Sequence, residues 1–227
     1  MSLSSCQIIE VVGVAGAGKS TLARSLSKHY PGSRLAPFLD AGRLAHIPYV
    51  LHSTLRLLPI LAAGLSRQPR MSWREVKLVI YVSEWLRYLG LRCEPGQSMW
   101  ILDQGPIYAL GRLEAIGKPF TTSAAYQRWH QRMVEVWSGK LSRIVFLDAP
   151  DPVLVKRIGD RSQDHETKGQ SPDVSFEFLG KHRRAFNRTV AAIELAGGPE
   201  AQRIDTGAAS PRQVEAEVAA LLERPPG

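Results

Sequence analysis

The segment Gly13-Val14-Ala15-Gly16-Ala17-Gly18-Lys19-Ser20 constrains this chain more than any other, because it fits the pattern G-x-x-x-x-G-K-[ST]. The pattern carries meaning only between a strand and a helix, and both are legible. Gln7 to Val12 is a β-branched run bounded by Gly13, as a buried strand would be. Lys19 to Tyr30 carries Leu22 and Leu26 at helical spacing and stops at Pro31-Gly32. In such a loop the backbone N–H groups of Gly13, Ala15, Gly16, Ala17 and Gly18 turn inward around a polyphosphate, and a bulky side chain would block the approach. Lys19 is placed to reach the β and γ phosphates. Ser20, followed by Thr21, offers a hydroxyl to Mg²⁺, and the helix that starts here points its positive end at the anion.

A P-loop indicates a nucleoside triphosphate but not its use. The N-K-x-D segment of guanine-specific switches is missing, because Asn187 is followed by Arg188. The expected donor is therefore ATP. Length and charge narrow the partner. The 227 residues suit one α/β domain, at most with an inserted lid, and 44% hydrophobic against 22% charged residues exclude wholesale disorder. Two cysteines, Cys6 and Cys93, exclude a disulfide framework and a four-cysteine zinc site, so a reducing, cytoplasmic setting is expected. The net charge of +8 suits nucleic acid, an anionic membrane or a phosphorylated small molecule. Lys and Arg are dispersed, however, and their densest group is only Lys181 to Arg184, so nucleic-acid binding is not expected. The leucine-rich stretch Tyr49 to Leu65 contains His52, Arg56 and Pro59 and is short for a membrane span. It reads as a buried or substrate-covering helix, without stable membrane insertion. No leader pattern is visible, because the first apolar stretch lacks a basic flank and runs into the glycine loop.

Further along the chain, strands alternate with helices. A short strand is expected over Ser33 to Phe38, then helices over Ala41 to Leu65 and Ser72 to Leu89, the second opened by a Ser72/Glu75 capping box and closed by Gly90. Met99 to Leu102 is a strand ending in Asp103, and Ile144 to Leu147 a strand ending in Asp148. Ile107 to Ile116 and Ala124 to Trp137 are helical, and Asp151-Pro152 opens another helix as cap and first turn. Gly159 to Asp173 is polar and without a core pattern, so it reads as a mobile loop. Phe176 to Leu195 is helical, Arg203 to Asp205 a last strand, and Pro211 to Leu222 a last helix capped by Ser210. This alternation predicts an α/β fold with a parallel sheet and helices on both faces. A strand-end aspartate can hold Mg²⁺ or its water, or accept a proton from an attacking hydroxyl. Asp103 is the stronger candidate and Asp148 the weaker, its plainer role being to cap a loop.

With these residues in place the chain resembles the nucleoside monophosphate kinase superfamily, thymidylate kinases most closely. The likeness is carried by Gly13 to Thr21, by Asp103, by Phe146-Leu147-Asp148 with Val153 to Ile158, by Asp160 to Glu166, by Phe178 through Phe186, and by Ile204-Asp205-Thr206-Gly207. It fades between about Phe38 and Ser98. The resemblance implies a three-layer P-loop NTPase fold with a five-stranded parallel sheet. The whole of residues 1–227 would be a single kinase domain, with a helical acceptor-binding region over 41–98 and a mobile lid over 159–173. It implies in-line transfer of a phosphoryl group from Mg·ATP to a small-molecule acceptor. Arg157 and Arg161 would be lid arginines, one over the adenine and one on the transferring phosphate, and Gly207 would sit in the adenine-side loop. Members of the superfamily are often homodimers. Two departures argue against thymidylate itself as acceptor. Asp103-Gln104 replaces the usual Asp-Arg, and Ala36 to Arg43 lacks the usual Arg-Glu-Pro. Asp40 then becomes a candidate base, Arg43 a candidate phosphate clamp, and Tyr108 a candidate acceptor-stacking ring. Besides a nucleotide or nucleoside, a sugar, lipid alcohol or antibiotic would serve as acceptor, and a regulatory ATPase with a protein partner is the alternative outside the kinases.

Overall fold

A computed structural model describes residues 6–36, 57–62, 66, 71–90, 99–116, 119–162 and 165–223. The strands are β1 (Gln7–Gly13), β2 (Ser33–Leu35), β3 (Met99–Leu102), β4 (Arg143–Asp148) and β5 (Ala201–Asp205). They form one five-stranded sheet in the order β2-β3-β1-β4-β5. Every pairing is parallel, with Gln7 opposite Met99, Leu35 opposite Ile101, Val11 opposite Val145 and Leu147 opposite Ile204. A central parallel strand covered by helices on both faces can be apolar throughout. Accordingly Ile8, Ile9, Val11 and Val12 in β1, Ile101 and Leu102 in β3, and Ile144 to Leu147 in β4 are all buried. The fold is the expected α/β P-loop architecture.

The helices are α1 (Lys19–His29), α2 (Trp73–Gly90), α3 (Pro106–Ile116), α4 (Ala124–Ser138), α5 (Asp151–Gly159), α6 (Pro172–Leu195) and α7 (Pro211–Leu222). Residues 57–62 are also helical. Their ends are set by local chemistry. The Ser72 amide donates to Glu75 Oε2 at 2.6 Å, so the expected capping box opens α2. Ser123 and Ser171 accept from Tyr126 and Val174 at the starts of α4 and α6. Ser210 and Gln213 form a second capping box at α7.

Several boundaries differ from the sequence reading. Ser171 caps α6 and Pro172 occupies its first turn, so the helix begins four residues before Phe176 and the polar loop ends sooner. Pro150, not Asp151, flanks α5, which already includes Asp151. β5 begins at Ala201 because its pairing with β4 begins there, at Ile144. Gly90 is the last helical residue of α2 rather than the residue after it. Asp40, Arg43, Cys93 and most of 41–98 lie outside the described residues.

The aromatic residues of α2 serve mainly the core. Tyr81 and Trp85 are buried, with ring centroids 4.0 Å apart, while Trp73 is exposed. The indoles of α4 fasten it to α2: Trp137 Nε1 donates to the Val82 carbonyl at 3.1 Å and Trp129 Nε1 to Ser83 Oγ at 3.0 Å. Among the described residues no helix is long and apolar enough to cross a membrane.

Candidate active site

The loop after β1, Asp103 after β3, Asp148 at the end of β4 and Thr206 after β5 all lie at the carboxyl edge of the sheet. The chain crosses there from the β3 side of β1 to the β4 side, and such a crossing leaves a crevice for ligands. The glycine loop occupies it. Gly16 has φ +87°, and a Cβ there would stand 2.9 Å from the Leu154 carbonyl oxygen, so only glycine lets the loop pass this close to α5. Lys19 opens α1 and its ammonium donates to the Val14 carbonyl at 2.9 Å. Burial pushes its pKa down to about 8; the Arg161 charge adds to the shift and Asp103 opposes it.

Two cavities flank the loop. The outer one, about 400 Å³, is lined by Gly16, Ala17, Gly18, Thr21, Arg157, Arg161 and Thr206, with Leu22, Leu147 and Val214 as apolar wall. Arg157 is fixed there. Its guanidinium donates to the Thr206 carbonyl at 2.7 Å, to Thr206 Oγ1 at 3.1 Å and to the Gly16 carbonyl at 3.5 Å. Thr206 is itself held by its amide on the Asp148 carbonyl at 2.8 Å. Gly207 is adjacent, its N–H on Asp205 Oδ1 at 2.7 Å, but Thr206, Ala209 and Pro211 are the residues that line the cavity.

The inner cavity, about 180 Å³, is lined by Gly13, Ala15, Lys19 and Ser20 on the loop side. Gln104, Tyr108, Arg112, Arg161, His165 and residues of α6 close the other side. Arg161 and His165 come from the α5–α6 connection, 160–171, and Arg161 lines both cavities. Phe178, His182 and Phe186 are stacked along α6, with Phe178 and His182 centroids 4.0 Å apart. Burial lowers the pKa of both His165 and His182. The structure thus gathers Lys19, Ser20, Tyr108 and Arg161 around one space, with Arg157 and Thr21 on the adjoining one. Asp103 is half-buried at the end of β3, with its charge acting on Lys19.

Asp148 belongs to a different arrangement. It accepts from Arg183 Nε at 2.7 Å, while Arg183 also reaches Asp151 at 2.5 Å. Asp148 Oδ1 further accepts the Ala149 amide at 2.8 Å. This is the loop-capping role, and it also engages Arg183 away from both cavities.

Sequence reading missed Arg112, His182 and Glu10, and treated His165 as a structural or solvated group. A signal existed for two of them: Arg112 follows Tyr108, and His182 follows Phe178, at the four-residue spacing that shares a helix face. Glu10 is the lone carboxylate in a buried strand. Its oxygens accept the amides of Ile107 at 3.0 Å and Tyr108 at 2.9 Å, taking up free N–H groups at the start of α3. A Cβ at Gly105 would stand 2.3 Å from the Glu10 carboxyl carbon, so a side chain there would displace the carboxylate. Desolvation raises the Glu10 pKa to about 8 despite these bonds. Tyr81, whose hydroxyl donates to the Gln104 carbonyl at 2.8 Å, steadies the same loop. Among the described residues no group of three or more His, Cys, Asp or Glu is placed to hold a metal ion.

Comparison with solved structures gives the same class of fold. A thymidylate kinase from Candida albicans, described as having broad substrate specificity, superposes with a TM-score of 0.58 at 15% identity, covering 96% of this chain and 92% of that one. Deoxyadenosine kinase from M. mycoides with bound dATP gives 0.56 at 14% identity, covering 96% of this chain and 100% of the other. The same enzyme with bound dCTP gives 0.55 at 14% identity and the same coverage. The sequence matches no protein-family model and no curated protein. The fold is that of the P-loop, nucleoside monophosphate kinase-like proteins.

Proposed function

We propose that the protein is an ATP-dependent phosphotransferase that moves the γ-phosphate of Mg·ATP to a small-molecule acceptor, a nucleoside, nucleotide or related metabolite. One observation carries the reading: Arg161 lines both a nucleoside-sized cavity outside the phosphate loop and a cationic cavity inside it. A donor in the outer cavity would direct its terminal phosphate past Lys19 toward an acceptor in the inner one. The fold likeness to nucleotide and deoxynucleoside kinases supports the same reading.

In this account the loop amides and Lys19 hold the donor phosphates. Arg157, pinned to Thr206, forms the wall against which the nucleoside rests. Arg161 meets the phosphoryl group as charge spreads over its equatorial oxygens, where a planar guanidinium can bond two of them. The Ser20 hydroxyl and the Asp103 carboxylate are oxygen groups of the kind a P-loop uses for Mg²⁺, which needs only one or two protein ligands beside phosphates and water. Mg²⁺ would supply charge neutralisation between the β and γ oxygens. Tyr108 borders the acceptor space. Residues 159–173 act as the lid and 41–98 supply the acceptor region, where Asp40 and Arg43 would contribute as base and clamp.

The test is a panel of nucleoside monophosphates, deoxynucleosides, sugars and prenyl or aromatic alcohols with Mg·ATP, read by ADP formation and by product mass. A phosphorylated product of the acceptor supports the reading. ATP hydrolysis that no acceptor changes would point to a regulatory ATPase instead.

A further inference from the structure

Lys19, Arg112 and Arg161 bring three cationic side chains to the inner cavity. On the phosphotransferase reading, the transferring group accounts for Lys19 and Arg161. Arg112 remains. It stands on α3 one turn beyond Tyr108, so it faces the cavity from the β3 side and not from the phosphate loop. Its side chain is only 25% exposed and is ion-paired with Glu166, whose side chain is 51% exposed in the α5–α6 connection. The guanidinium also bonds the Tyr108 side chain, and its planar fork matches a carboxylate or a phosphate in two bonds.

The Glu166 carboxylate is supplied by the lid rather than by the site itself. Beside it the connection turns on itself at the buried Thr167, whose amide donates to His165 Nδ1 at 3.2 Å. The carboxylate is half exposed, so an incoming anion can replace it on Arg112.

We propose that Arg112 is the recognition point for an anionic oxygen group on the acceptor, and that the Glu166 carboxylate occupies that point until the acceptor displaces it. This rests on the phosphotransferase reading. Acceptor binding and the lid contact then compete for one guanidinium, and acceptors lacking an anionic group leave Arg112 with Glu166.

The test is calorimetry on the full-length protein, first titrated with Mg²⁺ and a non-hydrolysable ATP analogue, then with inorganic phosphate and, separately, acetate. Wild-type protein should bind at least one of these anions. Arg112→Gln should weaken that binding by about tenfold or more, the usual weight of charged hydrogen bonds. Glu166→Gln should strengthen it, because the competing charge is gone. Preference for phosphate or for acetate shows which anion the acceptor carries. No anion binding by the nucleotide-loaded wild type, or equal affinity in all three proteins, overturns the proposal. Failure of the first titration in wild type would strike the phosphotransferase reading instead, and its success in the variants shows that they are folded.

Discussion

Lys19 and Glu10 are two titrating groups on either side of the same strand end, and their burial has opposite consequences. With its pKa lowered to about 8, Lys19 loses its proton in the free protein as pH rises through that value. The kcat/KM for ATP should therefore fall above about pH 8, and a profile flat through the alkaline range would contradict the role of Lys19. Glu10 has its pKa raised from 4.5 to about 8. Between those values the folded chain keeps a proton that the unfolded chain has released, so stability falls as pH rises through that window. Glu10→Gln preserves an acceptor for the α3 amides without titrating. Thermal melts across the window should show a steeper decline for wild type than for the variant.

The α5 helix and the connection after it divide the labour between two arginines. Arg157, in α5, is bonded to Thr206 beyond β5 and shapes the outer cavity. Arg161, after α5, borders both cavities. Arg161→Ala should lower kcat by about 10²–10³-fold with a smaller change in ATP affinity, as removal of a transition-state donor does. Arg157→Ala should do the reverse, raising the KM for ATP about tenfold through lost charged hydrogen bonds. Steady-state kinetics of the two variants separate the roles. At this scale most of the fold was legible in the sequence. Strand runs, serine caps and the P-loop are local signals, and they placed β1, β3, β4 and helices α1 to α7 within a few residues. The contribution of α6 to the site was not legible, because Phe178, His182 and Phe186 read equally as a core stripe until α6 is seen against the loop. The Arg112–Glu166 pair joins residues 54 positions apart, a contact no local pattern encodes. Glu10 was hidden because the strand was read from its β-branched neighbours, while the amides that hold the carboxylate, at Ile107 and Tyr108, lie 97 and 98 positions away.

The site depends on a sheet whose carboxyl edge is held from both faces, and the packing of α4 on α2 is part of that support. Trp137 is wholly buried and its indole N–H is bonded to the Val82 carbonyl. Trp137→Ala should cost about 3–5 kcal/mol, as large core truncations do, measured by denaturant unfolding. Across the whole molecule, the two cavities are proposed as the donor and acceptor halves of one reaction, joined at Arg161, with Lys19 on the inner side. The most direct measurement follows the γ-phosphate of labelled Mg·ATP in the presence of the acceptor panel, for wild type and for Lys19→Ala of unchanged circular dichroism. Label should appear in an organic acceptor with wild type and in none with the variant. Label released only as inorganic phosphate, at one rate with or without acceptors, or transfer that survives in Lys19→Ala, would contradict it.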